Sequence, residues 1–146
     1  DFAYRATVAS AGLASNIRSE AFYPQAHVDS EGRPLKGTRD YVVKFAAGEL
    51  PPVRAFWSMT MYDSEHWLVD NPIGRYAVGD RTDGLIYSKG GSLKIYISHD
   101  APAGNRAANW LPSPEGSFQL NLRLYEPQPS AYSGEWEPPK VVRVSR

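Results

Sequence analysis

The 146-residue chain contains no cysteine. Disulfides, thiolate nucleophiles and thiolate-held metals are therefore excluded. The compartment stays open, since a cytoplasmic protein and a periplasmic or secreted one released after processing both fit. No apolar run approaches the roughly 18 residues a membrane-crossing helix needs, so no membrane span is expected. There is no charge of one sign either: 16 Lys and Arg stand against 16 Asp and Glu. Nucleic acid and anionic lipid both demand a basic field, so neither is an expected partner. A chain without net charge tends to associate, which points to a homo-oligomer or a partner. No Asn-x-Ser/Thr sequon occurs, so N-glycosylation is not expected. No serine-nucleophile motif, phosphate loop or zinc-protease helix occurs, and Gly90-Gly91-Ser92 reads only as a hairpin turn. No signal peptide is visible and the chain opens on Asp1, which fits a processed product or a piece of something longer.

Large flat side chains are abundant: four Trp, nine Tyr and five Phe make up 12% of the residues. They suit sheets and sheet-on-sheet cores. The length fits one domain over residues 1–146 with one real core. Residues 3–16 are rich in alanine and place Tyr4, Val8 and Leu13 on one helical face, so a short N-terminal helical segment is expected over 1–17. Beyond it the period changes to two. Phe56, Ser58, Thr60 and Tyr62 take one face of a strand, and Trp57, Met59 and Met61 the other. Phe118, Leu120, Leu122 and Leu124 alternate with Gln119, Asn121, Arg123 and Tyr125. Similar alternation marks 40–46 and 93–98. Shorter strands are expected at 20–29, broken by Pro24, at 75–78 and at 141–144. Seven or eight strands without intervening helical patterns predict an all-β, jelly-roll-like antiparallel β-sandwich. The stretch from Asp100 to Gly116 is too long for a hairpin and predicts a crossing between sheets. The proline clusters at 51–52, 112–114, 127–129 and 138–139 read as rigid loop corners.

Five strings occur in a fixed order: LPPVRAFWSMTMYD, LVDNPIGRYAVGDRT, GSLKIYISHDAPAG, NWLPSPEGSFQLNLRLYEP and GEWEPPKVVRV. Together they make the chain resemble the domain-of-unknown-function 1214 family from about Ala21 to Val144. The resemblance implies a bacterial domain with a jelly-roll-like sandwich. It also implies a partner domain of the 1254 type, which commonly forms the N-terminal half of two-domain proteins. It implies no activity, cofactor or catalytic residue. The 1254-type half is not in this chain, which fits a stand-alone member or one whose other half was removed.

Among groups that could carry chemistry, Asp63, Glu65 and His66 share one turn. They could do acid–base work or hold a cation, but Asp and Ser also favour turn geometry for its own sake, and the plainer reading carries more weight. His99-Asp100 follows a buried strand. An oriented base is one reading, and a loop anchor is the stronger one because neighbouring strand residues point apart. A zinc site would need His27, His66 and His99 to converge, which nothing in their spacing shows; no metal and no cofactor is expected.

Arg75 and Arg123 could clamp a carboxylate or phosphate, or each could pair with an internal acid such as Asp63, Asp70 or Asp80; the second reading is favoured. If a small molecule is bound, the polar strand face with Ser58, Thr60, Arg75, Asn121 and Arg123 is the candidate. Trp57, Trp67, Trp110 and Trp136 could stack on sugar rings, although packing in the core is the plainer reading. That glycan reading requires Trp110 and Trp136 to be exposed on one surface. The expectation is a non-catalytic binding or assembly module. The alternatives are a glycan binder, or a hydrolase or lyase of a small oxygenated substrate drawing on Asp63, His66, Arg75, His99 and Asp100. Convergence of at least three of these in one pocket would favour the enzyme.

Overall fold

The structure is a computed structural model that describes residues 17–145. The expected N-terminal helical segment lies outside them. Nine strands follow in chain order: β1 (Ala21–Phe22), β2 (Gln25–Ala26), β3 (Asp40–Phe45), β4 (Val53–Asp63), β5 (Ala77–Gly79), β6 (Leu93–Ser98), β7 (Trp110–Pro112), β8 (Phe118–Pro127) and β9 (Val141–Val144). A 3-10 helix, Gly104–Asn109, precedes β7, and one short helix, α1 (Ser130–Ser133), follows β8. The expected strands are present within a few residues. The break at Pro24 is also present: it separates β1 from β2, and both pair antiparallel with β8.

One sheet runs β1-β8-β4-β5, with β2 continuing the β1 side of β8; the other runs β7-β6-β3-β9. The all-β sandwich expected from the alternation is therefore present. One sheet is mixed, since β6 and β7 pair in parallel. The long connection after Asp100 does change sheets, from β6 to β8, and adds β7 on the way. Two of the proline clusters are not simply loop corners. Pro112 lies in β7 and Pro127 ends β8. Pro112 is tolerated because β7 is an edge strand, where a missing N–H breaks no ladder.

The period-2 alternation decides what is buried. From β4 and β8 it sends Trp57, Met59, Met61, Phe118, Leu120, Leu122 and Leu124 inward. From β3 and β6 it sends Tyr41, Val43, Phe45, Leu93, Ile95 and Ile97 to meet them. Two aromatic pairs bridge the layers: Phe45 and Trp57 with centroids 5.1 Å apart, and Tyr41 edge-on to Phe118 at 5.7 Å. Such pairs add to simple area burial. β5 packs so closely on β4 that a Cβ at Gly79 would lie 2.2 Å from the Trp57 carbonyl oxygen, so only glycine fits there. Trp136 closes one end and donates its indole N–H to the Glu49 carbonyl at 3.1 Å.

The turn after β2 is held by Asp29, a buried carboxylate. It accepts the backbone N–H groups of Glu31 and Arg33 and the Arg33 guanidinium at 2.8 Å. Burial pushes this carboxyl up, but the hydrogen bonds from Arg33 and Glu31 outweigh it and hold the group below its ordinary value of 3.8. A depressed folded-state pKa stabilises the fold above the unfolded value, and the effect is lost as pH falls through the folded value. Asp29→Asn is expected to lower the melting temperature at pH 7, and the gap from the wild type should shrink below about pH 3. Thermal denaturation followed by circular dichroism at both pH values checks this; a gap that grows on acidification would contradict it.

Candidate functional site

The register of β4 and β8 builds the polar face residue by residue. Ser58 pairs with Arg123, Thr60 with Asn121 and Tyr62 with Gln119. With the inward row spent on the core, these side chains share the outer surface of the sheet. Four of the five sequence-nominated binding residues, Ser58, Thr60, Asn121 and Arg123, are thus brought together. The guanidinium of Arg123 lies 5.7 Å from the Tyr62 ring centroid and 6.0 Å from that of Tyr23, and it donates to the Tyr62 hydroxyl. Beside it Phe56 stacks on Tyr125 at 4.4 Å, and Arg81 covers Phe56 at 4.0 Å. The face is a strip of aromatic rings and guanidinium groups held by cation–π attraction. Thr60 and Gln119 are buried beneath their neighbours although they point outward. The amide oxygen of Asn121 is buried with no hydrogen-bond partner.

Arg75 does something else. Its Nη1 donates to the carbonyls of Ala107 at 3.3 Å, Ala108 at 3.0 Å and Trp110 at 3.0 Å. It therefore ties the loop before β5 to the 3-10 helix and β7 in the opposite sheet. Neither Arg75 nor Arg123 is in an ion pair: among the described residues the pairs are Arg33 with Asp29 and Glu31, and His99 with Glu115. The acids proposed as their partners serve backbone instead. Asp63 accepts the N–H groups of Glu65 and Trp67, Asp70 that of Asn71, and Asp80 that of Trp57.

The acid–base candidates are likewise engaged locally. Asp63 caps its own turn, and His66 Nδ1 meets the Gln119 amide across the strand pair. His99 Nδ1 approaches the Ser113 carbonyl at 3.1 Å, with Glu115 3.8 Å from Nε2. Asp100 offers its main-chain carbonyl to the Ser98 hydroxyl at 2.7 Å. His27 contacts Gln25 at 3.3 Å. The three histidines thus have three separate sets of partners. Among the described residues no three His, Cys, Asp or Glu side chains are grouped as metal ligands require.

The tryptophans divide unexpectedly. Trp57, Trp110 and Trp136 are buried, and Trp67 is 68% exposed. The burial of Trp110 and Trp136 removes the glycan reading that depended on their exposure. Trp110 is drawn in because its indole N–H reaches the Ser98 carbonyl at 3.0 Å. Tyr23, Tyr62 and Arg81 complete the strip around Arg123 and were not among the nominated residues. Alternation places Tyr62 on that face, but Tyr23 and Arg81 reach it from neighbouring segments without a local pattern.

Because Arg75 donates to three carbonyls at once, Arg75→Met should cost about 1–3 kcal/mol, the range for losing charged hydrogen bonds to partners that water only partly replaces. Urea denaturation measures it, and an unchanged midpoint would show that the staple contributes nothing.

Comparison with known proteins agrees with this architecture. The VPA0106 protein from Vibrio parahaemolyticus has a similar structure, with a TM-score of 0.82 and 32% identity, covering 94% of this chain and 34% of that one. An uncharacterized protein from Burkholderia cenocepacia shares the fold at a TM-score of 0.52 and 20% identity, covering 86% of this chain and 29% of that one. The chain thus spans about a third of the length of these two proteins. No curated protein matches the sequence. The family model described as "Protein of unknown function (DUF1214)" matches residues 20–129, from just before β1 to just past β8. On that match the chain belongs to the DUF1214 family.

Proposed function

We propose that the chain is a non-catalytic binding or assembly module that docks on a further domain, of the 1254 type that the family resemblance implies. The observation that carries this reading is the dispersal of the acid–base candidates. Asp63, His66, Arg75 and His99 line none of the four concavities described on the surface, and Asp100 lines one without the others. Asp63 caps its own turn, His66 and His99 bond Gln119 and Ser113, and Arg75 ties its loop to the opposite sheet. An acid–base site would gather at least three such groups round a substrate.

The docking element is the loop between β4 and β5. It exposes Trp67, Leu68, Ile73 and Tyr76 within ten residues. Large apolar side chains held in the open mark interaction surfaces. The loop is also braced: Asp63 caps one end, and the Asn71 side chain bonds the main chain of Val69 and Arg75. A preorganised loop loses little entropy on docking. In the two similar structures, most of the chain lies outside the matched region, which leaves room for a further domain in the same molecule. A small-molecule ligand, if taken, suits the polar face, where Arg123 offers a cation and Ser58 a hydroxyl; Thr60 and the Asn121 amide oxygen lie buried beneath, and Arg75 is held by the 3-10 helix and β7. The connectivity is read as jelly-roll-like because the chain changes sheet five times, between β2 and β3, β3 and β4, β5 and β6, β7 and β8, and β8 and β9.

Sedimentation velocity with an equimolar 1254-type domain tests the proposal. A one-to-one complex is expected, weakened at least about tenfold in Trp67→Ser/Ile73→Ser with the far-ultraviolet spectrum unchanged. Independent sedimentation of the two species would overturn docking. A dimer of this chain alone that the double variant dissolves would make a second copy the occupant.

A further inference from the structure

The sandwich is not sealed on the side where β2 and β9 face each other across the two layers. β2 is two residues long, because Pro24 interrupts the segment before it. On the other side, Pro138-Pro139 leads into β9 without an N–H to give to any ladder. A cleft of about 500 Å³ opens between them, larger than the concavities of about 410, 320 and 250 Å³ found elsewhere. Its floor is the core itself: Met59, Leu120 and Leu122. Floors of this kind, reached from solvent through a short gap, are where compact ligands bury most of their surface.

The rim is polar but balanced in charge. Glu137 and Lys140 contribute one charge of each sign. The Asp29 carboxylate is already consumed by Arg33 and two backbone N–H groups. No guanidinium lines the cleft, so an anionic head would find no fork to receive it. Ala26, opposite the inward Leu120, turns its methyl into the cleft, whereas Gln25, opposite Asn121, and His27, 3.3 Å from the Gln25 amide oxygen, belong to the outer face.

We infer that this cleft is a binding site for a small uncharged, mostly apolar molecule that covers Met59, Leu120 and Leu122. The site lies between the sheets, uses none of the β4–β5 loop, and does not depend on docking of a second domain.

Two fluorescent probes with the same rings test it: neutral N-phenyl-1-naphthylamine and its sulfonated relative 1-anilinonaphthalene-8-sulfonate. The neutral probe is expected to bind saturably at one site per chain and at least about tenfold tighter than the sulfonate, whose charge must leave water beside a Lys140 that Glu137 balances. Methyl resonances of Met59, Leu120 and Leu122 should shift on saturation. Ala26→Phe, which fills the cleft, should weaken binding at least about tenfold, and His27→Ala on the outer face should leave it unchanged. If Ala26→Phe unfolds, the methyl shifts decide the matter alone. No saturable binding, shifts confined to Trp67 and its neighbours, or a sulfonate bound as tightly as the neutral probe would each overturn the inference.

Discussion

The antiparallel pairing of β4 with β8 is the constraint on which the remaining structure depends. It runs without interruption from Phe56 opposite Tyr125 to Asp63 opposite Phe118. Because side chains alternate, this single register fixes two surfaces at once. Trp57, Met59, Met61, Leu120, Leu122 and Leu124 become one wall of the core. Ser58, Thr60, Tyr62, Asn121 and Arg123 become the outer face. A slip by one residue would exchange the two sets, burying a guanidinium and exposing a row of leucines. Burial of that row, at about 25 cal/mol per Å² of apolar surface, makes the slip prohibitive.

The same pair anchors the functional elements proposed for the molecule. β4 ends in the Asp63 cap, which launches the loop carrying Trp67 and Ile73. That loop returns to Arg75, whose three carbonyl contacts fasten it to the opposite sheet. β8 holds β2 at the edge of its sheet and supplies, with Leu120 and Leu122, part of the floor of the inter-sheet cleft. Interface loop, polar strip and cleft are therefore three consequences of one ladder. The polar residues around it serve mostly as caps and staples, a use of Asp, Asn and Arg that leaves little titratable chemistry poised for reaction.

Much of this was legible in the sequence wherever a local period decided the outcome. β3, β4, β6 and β8 follow from alternation. β7 was not legible, because Trp-Leu-Pro is too short for a period and gains its place by parallel pairing to β6 and the Trp110 bond to Ser98. The partners of Arg75 were missed for a similar reason. An arginine is naturally matched with acids, whereas main-chain carbonyls presented by a distant 3-10 helix leave no mark in composition. The meeting of Ser58, Thr60, Asn121 and Arg123 follows from alternation once β4 and β8 are neighbours. The cleft depends on where two sheet edges stop, which no segment encodes by itself.

Amide hydrogen exchange measured residue by residue tests the β4–β8 ladder most directly. The slowest amides should fall in 56–63 and 118–125, exchanging only through global unfolding, with β1, β2 and β5 opening earlier. Rapid exchange in either of those two segments, with protection concentrated in β3 and β6 instead, would contradict the ladder's place as the spine of the molecule.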